Sequence, residues 1–130
     1  MLINKQLLDT VSQQATESPR LRMNYNFHDS LEAKAQRLLN AVQPGTELAV
    51  HRHQETDETY LVIRGSIKVL FYNDDKEVTG EFVLDPKTEV YGIHIPEGQW
   101  HTLEVLEEDT VIFEVKDGPY KVLSEEDVLS

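Results

Sequence analysis

The chain of 130 residues predicts a mainly β fold, a β-barrel of the double-sheet jelly-roll kind with one N-terminal helix. Three observations carry this. Short apolar or alternating runs recur along the chain, separated by turn residues, as sandwiches and barrels require. Helical periodicity is clear only near the N-terminus. The length suits one compact domain with a real core, and neither repeats nor low-complexity tracts interrupt it.

Taken in order, Leu2, Ile3, Leu7, Leu8, Val11 and Ala15 form an apolar stripe through Thr16, and Pro19 lies just beyond its end. The next stretch alternates: Leu21, Met23, Tyr25 and Phe27 face one way, and Arg22, Asn24, Asn26 and His28 the other. Asp29 with Glu32 reads as a cap for a short helix over Leu31 to Ala35. Strands are then expected at Leu38 to Val42, Glu47 to His53, Glu58 to Tyr72 with a break at Gly65, and Val78 to Leu84. Three more follow at Val90 to Ile95, Trp100 to Leu106 and Thr110 to Lys116. Asn73-Asp74-Asp75-Lys76 reads as a hairpin turn. Residues 1–36 form an arm of helix and strand on the barrel, 37–120 the barrel, and 121–130 an acidic tail, all within one domain.

Chemistry concentrates in one constellation. Gly45, His51, His53, Glu58 and Gly65 read G-x5-H-x-H-x4-E-x6-G, and Pro96, Gly98 and His101 read P-x-G-x-x-H. On a strand, His51 and His53 leave the same face and can grip one ion. The polar stretch Gln54 to Asp57 can reverse the chain and return Glu58 beside them. A turn at Pro96-Glu97-Gly98 places His101 at a strand mouth, where it can supply a fourth donor. Each of these eight positions matches by chance about once in twenty at average residue usage, so coincidence is a poor explanation. The competing reading, a polar cluster without metal, must find partners for three neutral imidazoles that a metal replaces more simply. Three imidazoles and one carboxylate suit one divalent transition metal per chain, with iron, manganese, nickel and zinc all compatible.

These two motifs resemble those of the cupins, small antiparallel β-barrels with a metal in the mouth. The first motif matches completely. In the second, Gly92 stands closer to Pro96 than the usual glycine, and Val105 takes the place of the usual asparagine. A narrower resemblance is carried by Arg20 to His28, Arg37 to Asn40, His51 to His53, Trp100 to Thr102 and Phe113 to Tyr120. Together these segments look like the WbuC-type cupin metalloproteins, a family associated with bacterial O-antigen and surface-polysaccharide gene sets. The resemblance implies a cupin barrel, a metal held by His51, His53, Glu58 and His101, and a carbohydrate-related ligand. Relatives of that type often continue past Pro-Tyr with an aromatic, proline-containing segment, where this chain has Ser124 to Ser130.

Around the metal set, the Arg22-Asn24-Asn26-His28 face either orients a substrate, with His28 as an acid–base or positioning group, or is the solvated face of an edge strand. The resemblance favours the first. Tyr60 shares the parity of Glu58 and projects into the same cavity, as packing or as a substrate contact. Arg64 shares that parity too and is expected to face in, while Arg52, between two inward ligands, faces out. His94 reads as a surface or packing histidine. Lys116 and Tyr120 flank the Gly118-Pro119 turn and read mainly as structural, with substrate contact as the alternative. If the histidines point inward, Ala49, Tyr60 and Val62 join them, and apolar Leu48, Val50, Leu61 and Ile63 point outward. Such a face needs a cover. The N-terminal helix or a second subunit could supply it, and a homodimer is expected.

Twenty-four acids against twelve bases give a net charge of −12 without a basic stripe, which argues against nucleic acid and anionic membranes as partners. The N-terminus lacks a secretory apolar core, so cytoplasmic residence is the expectation. The absence of cysteine removes thiol catalysis and disulfides. The leading functional expectation is a small metal-dependent enzyme acting on a sugar or sugar derivative. A metal-dependent dioxygenase and a non-catalytic small-molecule-binding cupin are the alternatives. Free imidazoles become protonated near pH 6.5, so acidification through about that value is expected to release metal.

Overall fold

The structure is a computed structural model, and it describes residues 1–129. An opening helix, α1 (Lys5–Glu17), is capped by Asn4, whose side chain accepts from the Leu7 amide. Eight strands follow: β1 (Arg22–Asn26), β2 (Ala35–Val42), β3 (Glu58–Arg64), β4 (Ile67–Tyr72), β5 (Val78–Leu84), β6 (Gly92–Ile95), β7 (Trp100–Val105) and β8 (Thr110–Asp117). They form two antiparallel sheets, one ordered β1-β2-β8-β3-β6 and the other β5-β4-β7. This is the double-sheet jelly-roll form of the expected architecture, with no closed ring of strands among the described residues.

Side-chain alternation sorts the larger sheet into two faces. Tyr60, Val62 and Ile112 point toward the smaller sheet and pack with Ile67, Val69, Leu84, Ile95 and Leu103. The opposite face carries Leu39, Ala41 and Val111, against which α1 lays Leu8, Val11 and Ala15. Met23, Tyr25, Phe27 and Phe113 border that second cluster. The helix therefore covers part of the apolar outer face, as one of the two expected covers. Beyond it Leu61 and Ile63 stay 45% and 41% exposed, so the cover is incomplete.

Three local expectations are corrected. No helix forms after Asp29: residues 29–32 are bends and turns, and Ala35 already opens β2. The short apolar content of Leu31 to Ala35 gives a helix too little to bury, and pairing of β2 with β8 along its whole length wins. Glu47 to His53 is not a continuous strand; its sheet pairing is limited to bridges at His51. In consequence the parity expected there fails at its start, with Leu48 packed on the core and Ala49 exposed. Finally, Arg64 does not enter the cavity. The β3–β8 register shifts between Val62 and Arg64, and the guanidinium turns onto α1, where it reaches Asp9 at 2.6 Å, Ser12 at 3.1 Å and the Asp109 carbonyl at 2.8 Å.

Gly65 allows the sharp passage from β3 to β4. It sits at φ +82°, and a Cβ there would strike buried Thr110.

A candidate metal centre at the mouth of the jelly roll

His51 and His101 meet through the backbone. His51 N–H donates to the His101 carbonyl at 3.0 Å, and His101 N–H to the His51 carbonyl at 2.8 Å. A pair that exchanges both bonds is directly opposed, so the two side chains leave the same face. Their ring centroids lie 4.3 Å apart. His53 follows two residues on, its ring 5.3 Å from that of His51. Glu58 opens β3 between Ile95 of β6 and Lys116 of β8, and its Oε1 lies 2.7 Å from His53 Nε2 and 3.6 Å from His101 Nε2.

His51, His53 and Glu58 each offer a ligand atom within 4.8 Å of the other two. His101 adjoins this trio, closest to Glu58 and His51. The tautomers also suit ligation. The Nδ1 atoms of His51 and His101 lie 2.9 Å from the carbonyls of Ala49 and Gln99. With Nδ1–H donating there, each Nε2 lone pair is left to face the centre.

A cation fits this donor set on observations internal to the structure. His101 Nε2 is buried without a hydrogen-bond partner, a costly state that an ion shared with the adjacent His53–Glu58 pair relieves. Burial, reinforced by neighbouring His101, pulls the His51 imidazole down from 6.5 to about 4. Burial likewise lowers His101. Both are therefore neutral bases at pH 7, the form that ligates. Burial pushes the Glu58 carboxyl up, but the His53 contact and the nearby charges of His53, His101 and Lys116 outweigh it and hold the group at about 2. Neutral His51 and His101 beside an ionised Glu58 suit a divalent ion.

The inward face of the larger sheet continues away from this centre in polar residues. In register, Glu58 is opposite Lys116, Tyr60 opposite Glu114, Leu38 opposite Glu114 and Asn26, and Asn40 opposite Asn24. Arg22, Asn24 and Asn26 thus share the sheet face that bears Glu58. Asn24 and Asn26 are exposed, and Arg22 bonds the Glu47 carbonyl at 2.9 Å. His28 is held by Arg37 backbone groups through Nδ1 at 3.2 Å, and its Nε2 is buried without a partner. Tyr60 is 3% exposed, its ring centroid 6.4 Å from that of His101, and burial beside Glu58 drives its phenol well above the ordinary range. Arg52 faces away from the centre as expected, stacking 4.3 Å over Trp100 and bonding Asp127. His94 is exposed and contacts Thr59 and Asp57.

Two groups of residues escaped the sequence reading. Glu114 receives a 3.0 Å hydrogen bond from Asn40, and burial, with Glu58 nearby, raises its carboxyl. Its signal was available: Glu114 and Lys116 share the inward parity of Ile112 on an otherwise apolar strand. The other group is the C-terminal segment, whose acidity reads as a solvated tail. Instead, Arg52 N–H donates to the Asp127 carbonyl and Leu129 N–H to the Val50 carbonyl, so this segment lines the edge that carries His51. The Asp127 carboxylate accepts from Arg52 Nε at 3.0 Å and Gln54 Nε2 at 2.6 Å. No periodicity announces such a pairing. Ser130, the last residue of the expected tail, lies outside the described residues.

A double-sheet jelly roll with a histidine–carboxylate cluster at one end is a cupin-type fold. The chain belongs to the family described as "Domain of unknown function (DUF6016)", whose model matches residues 3–84. A search of curated proteins found no match. Among solved structures, KdgF from Halomonas sp. is similar at 15% identity and a TM-score of 0.62, over 80% of this chain and 84% of that one. The capsular polysaccharide assembling protein CapF from Staphylococcus aureus aligns at 20% identity and a TM-score of 0.62, over 82% of this chain but only 28% of its own. The cupin domain of Cnp3 from Schizosaccharomyces pombe aligns at 11% identity and a TM-score of 0.57, over 74% of this chain and 63% of that one. At such identities the likeness establishes the fold. No helix is long and apolar enough to cross a membrane among the described residues.

Proposed function

We propose that His51, His53, Glu58 and His101 hold one divalent transition metal, and that the chain is a small metal-dependent enzyme acting on a sugar or sugar derivative in surface-polysaccharide synthesis. The observation that carries the metal is the convergence of two imidazoles on Glu58 Oε1, His53 Nε2 at 2.7 Å and His101 Nε2, buried without a hydrogen-bond partner, at 3.6 Å. The carbohydrate assignment draws on the WbuC-like segments and on the shared fold with a capsular polysaccharide assembling protein.

A bound ion would polarise a carbonyl or acidify a water. The chain's own residues do the rest. The Ala49 and Gln99 carbonyls keep His51 and His101 in the ligating tautomer. Tyr60 and the β-strand core beneath the site exclude water from one side. Arg22, Asn24 and Asn26 present polar groups on the sheet face that leads to Glu58, where they orient a hydroxylated ligand. His28, with one ring nitrogen held by backbone and the other unpartnered, is the candidate for moving a proton. Cytoplasmic residence and a homodimer complete the reading; exposed Leu61 and Ile63 support the latter.

Elemental analysis of the purified protein tests the centre: about one equivalent of iron, manganese, nickel or zinc per chain is expected. A metal-free preparation that also takes up none of the four on incubation would overturn it. Turnover of nucleotide-linked or free sugars that stops on chelation supports catalysis. Tight binding without product supports the ligand-binding alternative, and oxygen consumption during turnover the dioxygenase.

A further inference from the structure

Beside the metal centre lies a cavity of about 560 Å³ between the loop at residues 53–56 and the chain from Lys116 to Leu123. Its volume suits a ligand of monosaccharide size. Two lysines line it, and they differ. Lys121 Nζ sits 2.8 Å from Glu55, an ion pair at the rim that leaves little net charge. Lys116 is half-buried, and no described carboxylate lies within ion-pair distance of its ammonium. Its position is set by register, directly across from Glu58 on the inward face of the larger sheet.

The cavity wall beyond Lys116 is built deliberately close. Tyr120 N–H donates to the Leu31 carbonyl at 2.7 Å, and Gly118 N–H to the Lys34 carbonyl at 2.7 Å. Any side chain at Gly118 would collide with the Ala33 carbonyl, so glycine permits this approach. The result sets the Tyr120 ring 6.0 Å from Lys116 Nζ. A cation flanked by an aromatic wall, with His53 at the cavity's inner end, offers a charged anchor and a flat apolar surface together.

We propose that this cavity binds a small organic anion, its carboxylate on Lys116, its body along Tyr120, and its far oxygen directed to the metal centre at His53. The inference rests on the metal reading above, because Glu58 stands directly across from Lys116 on the neighbouring strand and is a compensating charge for it. Once Glu58 ligates an ion, the ammonium is left for an incoming anion. Glu114, on the same face, accepts from Asn40 at 3.0 Å, and it makes no ion pair with Lys116 among the described residues. The ligand class is therefore a carboxylated, hydroxylated molecule rather than a neutral sugar.

Calorimetric titration of the zinc-loaded protein with glucuronate and with glucose separates the two, since these probes differ mainly in the acid group. Glucuronate is expected to bind about tenfold tighter or more. Lys116→Met should abolish that preference while keeping bound zinc and the thermal melt, and Lys116→Arg should retain most of it. Equal affinities, no glucuronate binding up to about 10 mM, or a preference that survives Lys116→Met would overturn the proposal. A protein that holds none of the four metals and takes up none on incubation fails the metal reading itself, whereas a metal-loaded protein without a preference for glucuronate fails the anion proposal alone.

Discussion

His51 shows how much one residue can be asked to do. Its backbone is bridged to His101 on one side and to Val128 on the other, its Nδ1 faces the Ala49 carbonyl, and its Nε2 is left for an ion. Replacing it with alanine removes one of the four proposed donors. The loss in zinc affinity should exceed the roughly 10–100-fold penalty of disturbing an outer partner of a ligand. Elemental analysis after dialysis reads this directly, and full retention of metal would count against the assignment. Acid response is also decided here. With His51 lowered from 6.5 to about 4, the unfolded chain binds a proton between those values that the folded chain does not. Stability of the metal-free protein is therefore intact above about pH 6.5 and declines as pH falls toward 4. His101 acts in the same direction. Glu58, lowered from 4.5 to about 2, contributes stability above its ordinary value that is lost on further acidification. Glu114, raised by burial, acts in the opposite direction, and the three lowered groups together outweigh it. The melting temperature of metal-free protein should thus fall between pH 7 and pH 3; a rise on acidification would contradict this balance. The same burial means that metal release begins below the pH 6.5 expected for free imidazoles.

At the scale of elements, the β3–β4 passage and the C-terminal segment make separable predictions. Gly65→Ala combines a positive φ with a clash against Thr110, whose neighbourhood is fully buried and cannot yield. A loss of about 2 kcal/mol or more is expected in chemical denaturation. Gly98, also at positive φ but with open space around it, should tolerate alanine better. Asp127→Ala removes the acceptor shared by Arg52 and Gln54. Hydrogen exchange should quicken at the Arg52 and Leu129 amides, which pair with this segment, and stay unchanged in α1. Protection unaltered at Arg52 would mean that backbone pairing alone secures the edge.

For the whole molecule, the open question is what covers the apolar strip left by α1. Leu61, Ile63 and Tyr91 are 45%, 41% and 56% exposed on β3 and beside the edge strand β6. Such a strip disfavours an isolated chain. Light scattering should report a dimer, and the double substitution Leu61→Glu, Ile63→Glu should give a monomer that keeps the metal centre, since both residues point away from it. A wild-type monomer at about 100 μM, where even weak dimers of micromolar Kd would form, argues against the reading.

Much of this fold was legible because alternation is a local property. The strand pattern from Leu38 onward, the N-terminal helix and the spacing of the two motifs depend on residues two to four apart, and the sequence displays them directly. What proved wrong or invisible depended on partners distant in the chain. Ala35 is in a strand because β8 pairs with it, Arg64 turns outward because a bulge breaks the β3 parity, and Asp127 is docked because Arg52 waits for it. The sequence by itself determined a β jelly roll and the donor types at its mouth. Only the tertiary structure decided that His101 stands against His51, that Glu58 is buried against His53 and His101, and that Lys116 faces a cavity. The physical reason is that burial and register belong to pairs of strands, and no single strand carries them.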